Sequence, residues 1–349
     1  MSFKRLDAED FVVSADAVQS IAWSTGAPTL TQFFTSSIQA SGTSGNYYLA
    51  VYQTASNLSS AAVQFDIAYG NKHGSGSQYF NSLYPSRTPA SVTYGQYRSM
   101  ILEDENAVFV TGVGTTGQTS VCSTTTSSTA VEMEDFWVIS PDRARYKQSL
   151  FPGTFNLTLQ GSGGTLNLTD NSNDVTIQTF LGSSRVYQIV SGSNGSGIAG
   201  GGYTANSGSY GLFFPDIATI LLNCTAISSS IGVTSDTSAN LTNGTNQATL
   251  FTAISGGASF QLNSEETITS DYVFVRARNA EFNYSENPSF ISGSTGEVIY
   301  SNFINNPQVY ATTVGMYNDA NELLAVAKLS RPLLKDFTKE SLVRVKLDF

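Results

Sequence analysis

The chain of 349 residues has one histidine, two cysteines and charged side chains at only 13% of its positions, and each shortage removes a class of chemistry. With His73 alone, no imidazole pair can ligate zinc, no His-Glu-x-x-His helix exists, and a nucleophilic triad has a single residue to use as its base. That histidine sits in Gly70-Asn-Lys-His-Gly-Ser-Gly-Ser77, which lacks the Gly-Lys-Ser/Thr ending of a phosphate-binding loop and opens no evident helix. It reads as an irregular surface loop with a solvent-facing imidazole. Cys122 and Cys224 lie in Ser/Thr-rich surroundings without metal-ligand spacing, so both read as free thiols.

Long apolar runs are missing as well. The nearest approach to a membrane span is 212–227, which Pro215, Asp216 and Asn223 interrupt, short of the roughly 20 apolar residues that a spanning helix requires. Met1-Ser-Phe-Lys-Arg5 has the charge of a signal-peptide start, but Leu6-Asp-Ala-Glu-Asp-Phe11 stands where the apolar core belongs. The expectation is a protein without a secretory signal, soluble when made and without a membrane partner. The formal net charge is −10 and no basic run is long enough to follow a phosphate backbone, which argues against a nucleic-acid partner. Cations are unevenly spread: Arg185 is the only one between Lys147 and Arg276, whereas Lys328, Arg331, Lys335, Lys339, Arg344 and Lys346 crowd the end. That crowd fits either a solvated sheet face or a docking face for an acidic neighbour.

Carboxylates are the remaining route to catalysis. Glu103/Glu105, Glu132/Glu134/Asp135 and Glu265/Glu266 set acids close together in the chain, and glycoside hydrolases need two carboxyl groups across one bond. Spacing along the chain does not place them across a cleft, and acids on turns between strands ordinarily face water. Arg143, Arg145 and Lys147 on a short helix read as a solvated face rather than a nucleic-acid patch. No catalytic, cofactor-binding or metal-ligating residue is therefore nominated, and the expectation is a chain that is not an enzyme and needs no cofactor.

What the chain has in plenty is Gly, Ser, Thr, 21 Phe and 17 Tyr, a mixture suited to strands and turns. Tyr47-Tyr-Leu-Ala-Val-Tyr-Gln53 and Val63-Gln-Phe-Asp-Ile-Ala-Tyr69 predict a hairpin whose second strand puts Val63, Phe65, Ile67 and Tyr69 on one face. Phe155, Leu157 and Leu159 alternate likewise, and after a glycine turn so do Leu166 and Leu168. Short strands with frequent turn signals predict a mainly β fold: antiparallel sandwich or jelly-roll-like domains with a few short helices. Length suggests about two domains, divided here into an N-terminal β-rich domain with an assembly arm, 1–150, and a C-terminal β-rich domain, 151–349. One helix of about two turns is expected over 142–150, capped by Ser140 with Pro141 at its first position. The stretches 115–130, 191–209 and 223–246 read as loop or low-complexity sequence, with strands resuming over 251–262.

The cleanest pattern closes the chain. In Leu342-Val-Arg-Val-Lys-Leu-Asp-Phe349, Val343, Val345, Leu347 and Phe349 alternate with Arg344, Lys346 and Asp348, which reads as an interior strand of a sheet. Tyr310-Ala-Thr-Thr-Val-Gly-Met-Tyr317 and Glu322-Leu-Leu-Ala-Val-Ala-Lys-Leu-Ser330 flank the turn formers Asn318-Asp-Ala-Asn321 and predict a hairpin that Pro332 ends.

The wording of 312–332, with Phe337-Thr-Lys-Glu340 and the closing strand, resembles the carboxyl terminus of virion structural proteins of contractile-tailed bacteriophages, in particular cyanophages of the T-even type. Arg143-Ala-Arg-Tyr-Lys147, with Phe151-Pro-Gly-Thr-Phe-Asn-Leu-Thr-Leu159 after it, is similar to a helix, turn and strand in the same group. The resemblance implies a structural component of the tail, of the baseplate or its attachments, assembled in the host cytoplasm and located in the virion. Its implied partners are other virion subunits, in a homo- or hetero-oligomer. The alternatives are a capsid decoration or neck protein, and a receptor-binding or polysaccharide-cleaving tail fibre or tailspike, although the chain lacks the repeats of a β-helix.

Overall fold

The computed structural model describes residues 4–35, 47–104, 106–111, 122–123, 131–175, 179–198, 209–239, 241, 244–285 and 288–348. The chain is mainly β, with large antiparallel sheets and a few short helices. In order come β1 (Phe11–Ile21), β2 (Thr29–Leu30), β3 (Phe34–Thr35), β4 (Tyr48–Tyr52), β5 (Val63–Asn71), α1 (Pro89–Leu102), β6 (Val108–Thr111), β7 (Cys122–Ser123) and β8 (Val131–Glu132). Then follow β9 (Asp135–Pro141), β10 (Ser149–Leu150), β11 (Asn156–Gly161), β12 (Gly164–Asp170), β13 (Thr179–Leu181), β14 (Ser184–Ser193), β15 (Ser196–Gly197), β16 (Gly211–Phe214) and β17 (Thr219–Asn223). The rest is α2 (Cys224–Ile231), α3 (Thr245–Gly257), β18 (Ser259–Gln261), β19 (Asn263–Ala277), α4 (Asn302–Asn305), β20 (Val309–Tyr317), β21 (Leu323–Lys335) and β22 (Ser341–Asp348).

Contacts divide the chain into a larger unit, Val18–Glu266, and a smaller one made of Met1–Ala17 with Thr267–Phe349. The division expected at 150/151 falls inside the larger unit. β5 and β9 precede that point and β17 follows it, yet β17 pairs with β9 and β9 with β5. Chain length cannot show that neighbouring strands are drawn from both halves of a sequence.

The larger unit is built on one sheet of 13 strands, ordered β2-β18-β11-β12-β14-β16-β17-β9-β5-β4-β3, with β13 and β15 beside β14. The expected hairpins are there: β4 with β5, and β11 with β12 around a two-residue turn. β16 and β17 explain the long apolar run, because their residues are buried on both faces. Phe213, Ile220 and Leu222 enter one core, and Leu212, Phe214 and Leu221 enter another. β18 and β5 are distant in strand order, yet the Phe260 and Phe65 rings are 5.2 Å apart. Trp23 lies 4.9 Å from Phe260 and 6.1 Å from Phe65, and its Nε1 donates to the Phe260 carbonyl at 2.8 Å. The sheet thus curls back on itself around the larger core, as sheets of more than about ten strands tend to do. α3 packs inside the curl against β11 and β5, and α1 brings Tyr94, Ile101 and Leu102 to the other face.

Local chemistry corrects several expectations. The helix over 142–150 is a single 3-10 turn, Arg143–Arg145, because β9 runs on through Ser140 and Pro141, with Pro141 opposite Phe65. Asp142 is its cap, accepting from the Ala144 N–H at 2.9 Å. α1 starts where Thr88 Oγ1 accepts from Ser91 N–H at 3.2 Å with Pro89 behind it. α2 is capped by Asn223 and closed by Gly232 at φ +71°, and α3 takes 251–257 of the 251–262 where strand was expected, leaving β18 to the rest. The loop 70–77 is ordered rather than irregular: Asn71 Oδ1 accepts from His73 and Ser75 N–H at 2.8 and 3.2 Å. Gly76 there is buried, and a Cβ on it would meet Asp236 O at 2.6 Å and Tyr69 Cε1 at 2.8 Å.

In the smaller unit β22 pairs along β19 from Ser270↔Asp348 to Ala277↔Ser341, and β20 pairs β21 as a separate two-stranded ribbon. The alternation of β22 holds, with Val345 buried, Val343 and Leu347 half-buried, and Leu342, Arg344 and Lys346 exposed; Phe349 lies outside the described residues. Among those residues β22 has one neighbour, β19, so it is not the interior strand expected. Alternation reports a covered face and says nothing about paired edges. Pro332 does not end β21 either. The register slips between Ala311↔Leu333 and Thr313↔Lys328, so Pro332 sits in a bulge, where a missing donor costs no ladder bond.

Candidate interaction surface

The smaller unit has almost no apolar interior. Of its described apolar side chains, only Val273, Val309 and Val345 are buried. The ribbon shows why. Across it Val314, Met316, Ala325 and Ala327 are half-buried, while a Cβ on Gly315 would meet Tyr317 Cε2 at 3.0 Å and Leu323 Cδ1 at 3.5 Å. Tyr317, Leu323 and the opposite residue Val326 therefore cluster on the other face, and all three are exposed. Leu324, at the slip in register beside Met316, is 67% exposed, and Tyr310 61%. The tip is well made, since Asn318 Oδ1 accepts from Ala320 and Glu322 N–H at 3.0 and 2.8 Å. At its base, the buried Lys335 ammonium donates to Asn279 O, Asn283 Oδ1 and Asp336 O at 2.8–3.0 Å. A two-stranded ribbon is marginal in water unless something covers it, and this one is anchored at both ends with its apolar middle bare.

β1 is bare in the same way. Every residue of it is exposed except Ser14, which is half-buried, and Phe11, Val12 and Val13 stand in a row. An exposed apolar edge strand is a pairing site unless it is blunted.

Charge at the chain end divides into spent and unspent cations. Lys335 is buried, Lys339 and Lys346 pair with Asp336 and Asp348 at 3.8 and 2.8 Å, and Arg344 lies 5.4 Å from the Tyr272 ring centre. Lys328 and Arg331 on β21 are exposed and have no ion-pair partner among the described residues. The crowd of cations thus resolves into mostly local pairing plus two free charges on the ribbon.

The side chains weighed for catalysis are held elsewhere. Glu132 pairs with Lys72, and exposed Glu134 lies 3.9 Å from exposed His73. Buried Asp135 accepts from Tyr69 Oη at 3.2 Å and Ser235 Oγ at 2.6 Å. Burial, then the Asp135 charge, pushes up both the Tyr69 phenol and the Cys224 thiol. Cys224 is a free, buried cysteine; the side chain of Cys122, and Glu105 entirely, lie outside the described residues. Glu103 ends α1 in a left-handed conformation. Arg143 folds back on its own turn, donating to the Tyr146 carbonyl at 2.6 Å.

Two arrangements were not read from the sequence. Arg185 donates to Asp216 at 2.9 Å and to Glu265 at 2.7 Å, and Ser149 Oγ adds a bond to Glu265 at 2.9 Å. Lys147 takes Glu266, so this network ties β10, β14 and the start of β19 together. Its signal was available, since Arg185 is the sole cation in a long stretch. Asp66 on β5 had none. Burial first, and Asp142 second, raise its carboxyl from 3.8 to about 6, and its Oδ1 is buried without a hydrogen-bond partner. Among the described residues no three His, Cys, Asp or Glu side chains gather as metal ligands, and no helix is long and apolar enough to cross a membrane. Compared with protein-family models, curated proteins and solved structures, the chain matches none.

Proposed function

We propose that the chain is a structural subunit of a contractile-tail virion, at the baseplate or its attachments, and that it works by assembly rather than catalysis. The carrying observation is the smaller unit, which among its described residues buries three apolar side chains while leaving β1 and one face of the ribbon exposed. Isolated exposed apolar residues are ordinary, but a continuous set on paired edge strands marks a surface made to be covered. The likeness of 312–332, 337–340 and the closing strand, and of 143–147 and 151–159, to tail proteins supplies the particle in this reading; the first of those stretches covers most of the ribbon. Gold-labelled antibody against the chain, applied to purified particles and imaged, tests the placement. Label at the distal end of the tail supports it, and label on the capsid, or on no particle, overturns it.

A further inference from the structure

We infer that the partner covering β21 is the acidic β1 arm of a second copy of this chain, in a head-to-tail contact. The inference rests on the assembly reading and names its partner. Three observations meet in it. First, β1 pairs only with β19, and β21 only with β20, so among the described residues each has an edge without a strand beside it. Unpaired N–H and C=O groups along such an edge are a template for another strand. Second, the charges match. Residues 7–17 carry Asp7, Glu9, Asp10 and Asp16 and no cation. β21 carries the exposed Lys328 and Arg331 and no carboxylate. Like charges would oppose β1 against β1 or β21 against β21, whereas β1 against β21 is attractive. Third, both strands present apolar side chains beside those charges, Phe11, Val12 and Val13 on one and Leu323, Leu324 and Val326 on the other.

The contact uses two different surfaces, so each copy can receive one neighbour and offer itself to another. Such heterologous contacts close into rings or extend as filaments. Opposite charges at an exposed interface also make association sensitive to salt, because the screening length falls from about 10 Å at 0.1 M to about 3 Å at 1 M.

The test is sedimentation velocity and native mass spectrometry of the full chain. Wild type should form multimers that grow with concentration, and high salt should weaken the association at least about tenfold. Lys328→Glu with Arg331→Glu, and separately Glu9→Lys with Asp16→Lys, should each give a folded monomer, since all four side chains are exposed. An equimolar mixture of the two variants should assemble again, because each then meets a complementary edge. A monomeric wild type, variants that assemble like wild type, or a mixture that stays monomeric would each overturn the contact. Failure here with label still present at the tail tip removes the self-contact alone, whereas multimers without label on particles remove the virion reading.

Discussion

Replacing Asp66 by Asn should stabilise the protein at neutral pH, which is unusual for a change at a half-buried position in the middle of a sheet. Asp66 lies on β5 between Ala50 on β4 and Ser140 on β9. Its carboxyl is raised from 3.8 to about 6 by burial and by Asp142, and its Oδ1 has no partner to lose. The folded protein therefore holds this proton between about pH 4 and 6 while the unfolded chain has released it. Stability from this group is present at low pH and is lost as pH rises through about 6. At about 1.4 kcal/mol per pH unit the full effect is roughly 3 kcal/mol; water reaching the partly exposed group reduces it to about 1–2 kcal/mol. Urea melts of wild type and Asp66→Asn at pH 7.5 and pH 4 read the difference directly. Asn should gain about 1–2 kcal/mol at the higher pH and little at the lower. Equal or reversed differences at the two pH values would refute the reasoning.

Arg185→Met should lower the main melting transition by roughly 5–10 °C, from about 2–3 kcal/mol lost when Glu265 and Asp216 are left without their cation; an unchanged transition would mean the network is idle. Cys224 should resist iodoacetamide in the native protein and react once unfolded, since the thiolate is disfavoured in its buried site; rapid native labelling of its peptide would contradict the packing. Deleting 342–349 removes buried Val345 and half-buried Val343 and Leu347, about 3–5 kcal/mol of burial. The truncated chain should melt low or precipitate, and one that melts like full length would show β22 to be a dispensable tail.

Strands were legible in the sequence where one face is buried and the other wet, as in β11 and β22, because that situation writes a period of two into the residues. β16 and β17 were legible only as an apolar run, since burial on both faces erases the alternation. The helices were lost for the opposite reason. α2 and α3 lie in Ser- and Thr-rich sequence, and their caps, Asn223 and Gly232 for α2 and Gly244 for α3, resemble the loop residues around them. The helix that was expected gives way because Pro141 suits the last residue of a strand as well as the first turn of a helix. For the interaction surface, the end cations were visible, but which of them were free depended on Asp336, Asp348 and the three oxygens around Lys335. The carboxylates are near neighbours in the chain, so their pairing is set by local backbone geometry, whereas Asn279 and Asn283 reach Lys335 only through the fold.

Hydroxyl-radical footprinting of the isolated chain and of the same chain in purified particles tests the assembly surface most directly. The account predicts that Phe11, Tyr310, Tyr317, Leu324 and Val326, all exposed in the single chain, lose most of their reactivity in the particle. Exposed residues of the larger unit such as Val92 and Met100 serve as the internal comparison. Equal reactivity of the ribbon and β1 in both preparations would contradict the claim that these strands are where the protein is held.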